Sequence, residues 1–233
     1  MGGQPSMSEI DYKVIFSRRR SISISISPHD GVVVRAPKSV SPEKIDKFVN
    51  EKSAWIKKHL NNYSDSVRIN YGKKYTDGEY HFIMGKENKL RLIASPVAFV
   101  RKYDDIIEVG LPDIRNTRKV KTLLDKWYRE QAMQYFRLLL EKILRKYESY
   151  HFEPYSMVVR ASKSRWGSCS AKGRISISSE LIKLDEKFYE YIIVHELCHL
   201  KHPNHGKGFY NLLEELLPDY KLVRKELRKY VMR

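Results

Sequence analysis

Polar and apolar residues alternate strictly along Ser21-Ile22-Ser23-Ile24-Ser25-Ile26-Ser27. In an extended chain this sets all three isoleucines on one face. Pro28-His29-Asp30-Gly31 supplies turn chemistry and Val32 to Ala36 a return strand, so the stretch predicts a hairpin, with Tyr12 to Ser17 a further strand before it. Ser41-Pro42-Glu43 then combines a capping serine, a proline at the first helical position and an early acid. Ile45, Phe48, Val49, Ile56 and Leu60 recur at helical spacing until Asn61 to Ser64, giving one helix that can cover the hairpin's apolar face. Strands are predicted again over Glu79 to Met84, Lys89 to Ile93 and Ile106 to Leu111. Residues 1–10 are polar, glycine-rich and expected to fray.

From Thr117 to Tyr147 there is neither glycine nor proline, and Val120, Leu124, Trp127, Tyr135 and Leu138 trace a drifting stripe, which predicts one long helix. Ser156 to Ala161 and Arg174 to Ser178 read as strands around a loop that contains Arg165, Trp166 and Gly167. Asp185 can cap a helix carrying Phe188, Tyr189, Ile192, Ile193 and Leu197. Pro203 stops that helix, because the residue before a proline is pushed out of the α region. Phe209 to Leu216 and Tyr220 to Tyr230 continue as two amphipathic helices, the second with a basic outer face most simply explained as solvation. The pattern gives an α+β fold: a β-rich N-terminal module with a covering helix over residues 11–115, then a second domain over 116–233 that includes the long helix.

The chemistry concentrates in His195-Glu196-Leu197-Cys198-His199-Leu200-Lys201-His202-Pro203-Asn204-His205. His195 and His199, four apart, fall on one helix face and ~6 Å apart along the axis, within one metal ion's reach. Neutral imidazole suits Zn²⁺, and a catalytic zinc site needs three protein ligands with one position open. Glu196 projects beside the metal rather than onto it, as the general base that takes a proton from metal-activated water. The Pro203-Asn204 turn returns the chain and places His205 to be the third ligand. Glu215 is the rival, but Pro218 breaks the helix on which Glu215 and Asp219 would share a face. A histidine-rich surface helix is the plainer account of the run; the apolar turn in front and the return behind argue against it. Cys198 is rotated ~100° from His199 and reads as core packing.

Composition adds a bias rather than a fold. The net charge of +16 favours anionic partners, whether nucleotides, nucleic acid or acidic surfaces. Arg18-Arg19-Arg20 can hold phosphates or simply guard a sheet edge. Two cysteines make no disulfide framework, and no apolar run reaches transmembrane length, so the expectation is a cytoplasmic protein without a membrane partner. In the loop after Ala161, Arg165 can neutralise developing negative charge, and Trp166 can floor a substrate pocket or pack in the core.

Lys163 to Cys169, Val194 to Leu200, His202 to His205 and Phe209 together resemble the YgjP-like metallopeptidase family, and Arg18 to Ser27, Gly31 to Pro37, Trp55-Ile56 and Trp127-Tyr128 extend the resemblance along nearly the whole chain. It implies a zincin-like C-terminal metalloprotease-type domain with one Zn²⁺ on His195, His199 and His205 and with Glu196 catalytic. Because a family member acts on UTP as a pyrophosphatase, the substrate expected is a peptide or a nucleotide. A third possibility is a basic nucleic-acid-binding protein whose zinc is structural, for which His202, Cys169 or Cys198 would have to supply a fourth ligand.

Overall fold

The computed structural model describes residues 10–27, 31–64, 67–68, 72–162 and 164–231. The expected fraying of residues 1–9, the Pro28 to Asp30 turn and Lys163 lie outside them, whereas Ile10, expected to fray with its neighbours, is buried in the core of the first sheet. The chain divides into two compact units, Met1–Arg68 with Lys229–Val231, and Ile69–Arg228. The strands after residue 80, expected to belong with the N-terminal module, fall in the second unit.

In the first unit β1 (Tyr12–Phe16), β2 (Ser23–Ser27) and β3 (Gly31–Ala36) form a sheet in the order β1-β3-β2, with β2 antiparallel and β1 parallel to β3. Ile24 pairs with Val34 and Ile26 with Val32. The alternation does what its period dictates: Ile22, Ile24 and Ile26 all pack on a core of Val32, Val34, Ala36, Ile45, Val49 and Ile56. The covering layer is two helices rather than one, α1 (Pro42–Glu51) and α2 (Ser53–Ser64). Lys52 leaves helical geometry between them (φ −100°, ψ 7°), a break the apolar stripe runs straight across. After β4 (Val67–Arg68), this unit is completed by the C-terminal β12 (Tyr230–Val231), paired parallel to β4.

The second unit holds β5 (Tyr80–Ile83), β6 (Lys86–Ala94), β7 (Phe99–Tyr103) and β8 (Ile106–Leu111) in the order β5-β6-β8-β7. The β5–β6 connection is shorter than the sequence suggests. Met84 (φ 51°) and Gly85 (φ 73°) both take left-handed geometry, the backbone of a two-residue hairpin turn. The long helix α3 (Thr117–Lys146) is capped by the Asn116 side chain, which accepts from Lys119 N at 3.1 Å. It packs against β7 and β8, against β9 (Ser156–Arg160), and against the functional helix α4 (Lys187–Lys201). Buried Phe136 on α3 meets buried Tyr189 on α4 edge to face, centroids 5.1 Å apart.

A third sheet orders β10 (Gly167–Cys169), β11 (Arg174–Ser178) and β9 as β10-β11-β9. The Arg-Trp-Gly-Ser-Cys stretch, read from sequence as loop, therefore contains an edge strand, since Gly167 to Cys169 pair antiparallel with Ile177 to Ile175. The second unit closes with α5 (Lys207–Leu216) and α6 (Tyr220–Leu227), ahead of β12. No helix among the described residues is long and apolar enough to cross a membrane.

Candidate metal centre

Asp185 lies just ahead of the functional helix, whose N-cap position is Glu186, and its carboxylate accepts from Lys187 N at 3.1 Å. Nine residues of α4 are buried, including Ile193, Val194, Leu197 and Cys198, so the helix is fixed on all but one side. That remaining side carries His195, His199 and Leu200. The helix stops at Lys201, with His202 extended (φ −132°, ψ 93°) ahead of Pro203. The turn brings His205 back over the helix, and ligand-capable atoms of His195, His199 and His205 all lie within 4.8 Å of one another.

The three imidazoles come close enough together that they could hold one metal ion. His195 Nε2 and His205 Nε2 are 3.1 Å apart, close to the ~3.3 Å that two nitrogens ~2.05 Å from a tetrahedral ion would keep. His199 Nδ1 lies 3.2 Å from the His202 carbonyl oxygen. A carbonyl only accepts, so Nδ1 carries the proton there and Nε2 presents its lone pair, the usual way an outer contact fixes a ligand's tautomer. Burial, joined by the His199, His205 and Arg224 charges, pushes the His195 imidazole down to about 3, so it stays neutral and able to ligate; His205 is lowered for the same reasons.

Phe209 on α5 is fully buried beneath this cluster, its ring centroid 4.9, 4.7 and 4.6 Å from those of His195, His199 and His205. In the sequence it stood as one member of an apolar stripe and as part of the family resemblance, with no role at the imidazoles. Arg224 is the other contributor the sequence hid. It belongs to the basic face of α6 read as solvation, yet its guanidinium lies over the Tyr210 ring at 5.8 Å and its charge is felt by His195 and His205.

Glu196 is 4% exposed, and burial raises its carboxyl to about 8 against the opposing pull of Arg165 and a hydrogen bond from Cys169 N. One oxygen, Oε2, is buried without a hydrogen-bond partner among the described residues. A buried carboxylate oxygen left unpaired is costly in a merely structural role, and it suits one that receives a proton from a bound reactant. Gly167 makes the fit possible. A Cβ there would lie 2.5 Å from Glu196 Oε1 and 2.9 Å from Ile192 Cγ2, so only glycine lets β10 approach the helix this closely.

The three imidazoles and Glu196 open into one cleft of about 640 Å³, walled by the β10–β11 hairpin. Arg165 lines it; Trp166, half-buried, does not, and its carbonyl accepts from Ser178 N in the sheet instead. Cys169 lines the cleft as well, whereas Cys198 is buried in the core. Glu215 is turned elsewhere, accepting from Tyr150 Oη at 2.6 Å, and His202 lies against Gly208, so neither joins the imidazole cluster.

A family model described as a YgjP-like metallopeptidase domain matches residues 20–230. The chain belongs to the YgjP-like family. It is also 33% identical over 70 residues to the UTP pyrophosphatase of Escherichia coli K12, a match spanning 30% of this chain and 42% of that relative. Among solved structures it is similar to the metallopeptidase zymogens jannalysin of Methanocaldococcus jannaschii (26% identity, TM-score 0.34, 40% of this chain and 91% of that one) and abylysin of Pyrococcus abyssi (24%, 0.35, 42% and 99%).

Proposed function

We propose that this YgjP-like chain is a zinc-dependent hydrolase of peptide bonds, in which His195, His199 and His205 hold one Zn²⁺ and Glu196 is the general base. The observation that carries the reading is the convergence of three imidazoles beside a buried carboxyl group with one oxygen unpaired, all in one open cleft. A zinc ion held by three imidazoles would supply Lewis-acid polarisation of the scissile carbonyl. The residues do the rest. Glu196, set beside the imidazoles by Gly167 and steadied by Cys169 N–H, takes the proton of the attacking water and returns it to the leaving amine. Because burial favours its neutral form, it accepts readily only while a nearby cation stabilises its charge, which couples the base to the loaded centre. Arg165, at the cleft wall, opposes the negative charge that develops on the tetrahedral carbon's oxygen. The outer backbone edge of β10, next to Glu196, suits an extended peptide laid along it.

A second reading is cleavage of a nucleoside triphosphate to release pyrophosphate. The similarity to UTP pyrophosphatase favours it, together with the +16 charge and an Arg165 that makes no ion pair with a carboxylate among the described residues. A nucleic-acid-binding role with structural zinc is less well supported, because His202, Cys169 and Cys198 stay outside the imidazole cluster and no fourth ligand closes it among the described residues. Zinc-loaded protein should cleave unfolded casein and release little pyrophosphate from UTP; the reverse result would establish the second reading. Glu196→Gln should bind zinc as wild type does while kcat falls ~10²–10⁴-fold. A Glu196→Gln protein as fast as wild type refutes the base assignment.

A further inference from the structure

The cleft differs chemically at its two ends. On α4, Ile192, Glu196 and Leu200 are successive residues four apart and share one face, which runs along the β10–β11 hairpin. Ile192 and Glu196 meet Gly167 at the base of the hairpin. Leu200 meets Gly173 at its tip, where a Cβ on Gly173 would lie 3.4 Å from Leu200 Cδ2. Charge belongs to the base end, with Glu196 and Arg165. At the tip end the lining is Leu200, Pro203, Ala171 and Gly173, with the small polar Ser170 among them. Tyr155 stands beside them: its N–H donates to Gly173 O at 3.0 Å, its Cβ would be 3.7 Å from a Gly173 Cβ, and its side chain is 74% exposed. Gly173 has φ +74°, a conformation that keeps this position without a side chain and so keeps the tip end open.

We propose that the hairpin-tip end of the cleft is a specificity subsite for an apolar side chain of the substrate, walled by Leu200, Pro203 and Ala171 with Tyr155 at the rim. This rests on the peptide-hydrolase reading and names the substrate class that reading leaves open. Leu200 is one helical turn, ~6 Å along the axis, from Glu196. An extended peptide advances ~3.3 Å per residue, so the side chain received there lies within two residues of the scissile bond. Leu200, Pro203 and Ala171 offer a charged group no side-chain partner, so Asp or Lys seated against them gives up hydration that the Tyr155 hydroxyl at the exposed rim makes good only in part. Discrimination of ~10-fold or more between apolar and acidic residues follows from the size of such pockets' preferences.

The test measures binding, so that it does not depend on turnover. Zinc-loaded Glu196→Gln protein is titrated into dye-labelled alanine-based hexapeptides in which one position is varied through Leu, Phe, Asp and Lys. At one position Leu and Phe peptides should bind ~10-fold or more tightly than Asp and Lys peptides. Leu200→Gln in the same background should abolish the difference, Tyr155→Ala should reduce it, and Leu222→Arg, on an exposed residue of α6, should leave it intact. Equal affinities across the series, or a preference that survives Leu200→Gln at normal zinc content, overturn the subsite. Wild-type protein that binds these peptides with the stated preference yet cleaves none refutes peptide hydrolysis and leaves the subsite standing.

Discussion

Gly167→Ala is the most direct probe of how the fold sets up the chemistry. The added Cβ would lie 2.5 Å from Glu196 Oε1, 2.9 Å from Glu196 Cγ and 2.9 Å from Ile192 Cγ2. Carbon and oxygen in contact need roughly 3.3 Å, so the carboxylate must withdraw by roughly 0.5–1 Å or β10 must lift from α4. Overpacking of this size costs ~1–3 kcal/mol of stability, which a folded domain of this size survives. Its effect on rate should be larger. A misplacement of ~1 Å at a catalytic group costs ~10²-fold, or ~2.7 kcal/mol of transition-state stabilisation. The imidazoles are untouched by the new methyl, so zinc content should stay at the wild-type level. Purified variant and wild type should therefore be compared for zinc by atomic absorption, for Tm, and for kcat/KM on the same substrate. A Gly167→Ala protein that keeps wild-type kcat/KM would show that the close approach of β10 does not position Glu196, and the reasoning from that contact would fail.

Three further outcomes are expected. Phe209→Ala removes the ring beneath all three imidazoles and should cost ~3–5 kcal/mol of stability along with zinc affinity, read by denaturant melts and competition with a chelator; unchanged zinc affinity would show that Phe209 only fills the core. Zinc at ~100 times its Kd should stabilise the second unit by ~2.7 kcal/mol and raise its Tm by roughly 5–10 °C, an effect that His199→Ala should remove. His81, 4% exposed, has its imidazole lowered to about 4 by burial and the Lys73 charge, against the pull of Glu79. Its folded pKa is below the unfolded ~6.5, so the unfolded chain takes the proton first: the contribution is whole above pH ~6.5 and is lost as pH falls towards 4, up to ~3 kcal/mol. Urea melts between pH 7 and 5 should show that loss in wild type and a flatter profile in His81→Gln.

The local pattern of residues was enough to place most elements. Isoleucine alternation set the face of β2, the uninterrupted stretch from Thr117 gave the long helix, and Asp185 and Pro203 bounded the helix that carries His195, Glu196 and His199. Each of these signals is a property of neighbours along the chain, and a period or a cap reads the same in any fold. Where the signal was non-local the sequence was silent or misleading. The stripe through α1 and α2 continues across the Lys52 break, and the strands of residues 80–111 fall in the unit of α3, which packs on β7 and β8.

Spacing alone determined that His195 and His199 would share a helix face, because the α-helix repeats every 3.6 residues, and the Pro203 turn made His205 a candidate to join them. Only the tertiary structure decided that His205 converges while Glu215 turns to Tyr150, that Phe209 underlies the imidazoles, that Arg224 approaches them from α6, and that β10 comes near enough for Gly167 to touch Glu196. These are contacts between elements separated along the chain, set by how whole faces pack, and no window of sequence encodes the distance between two faces.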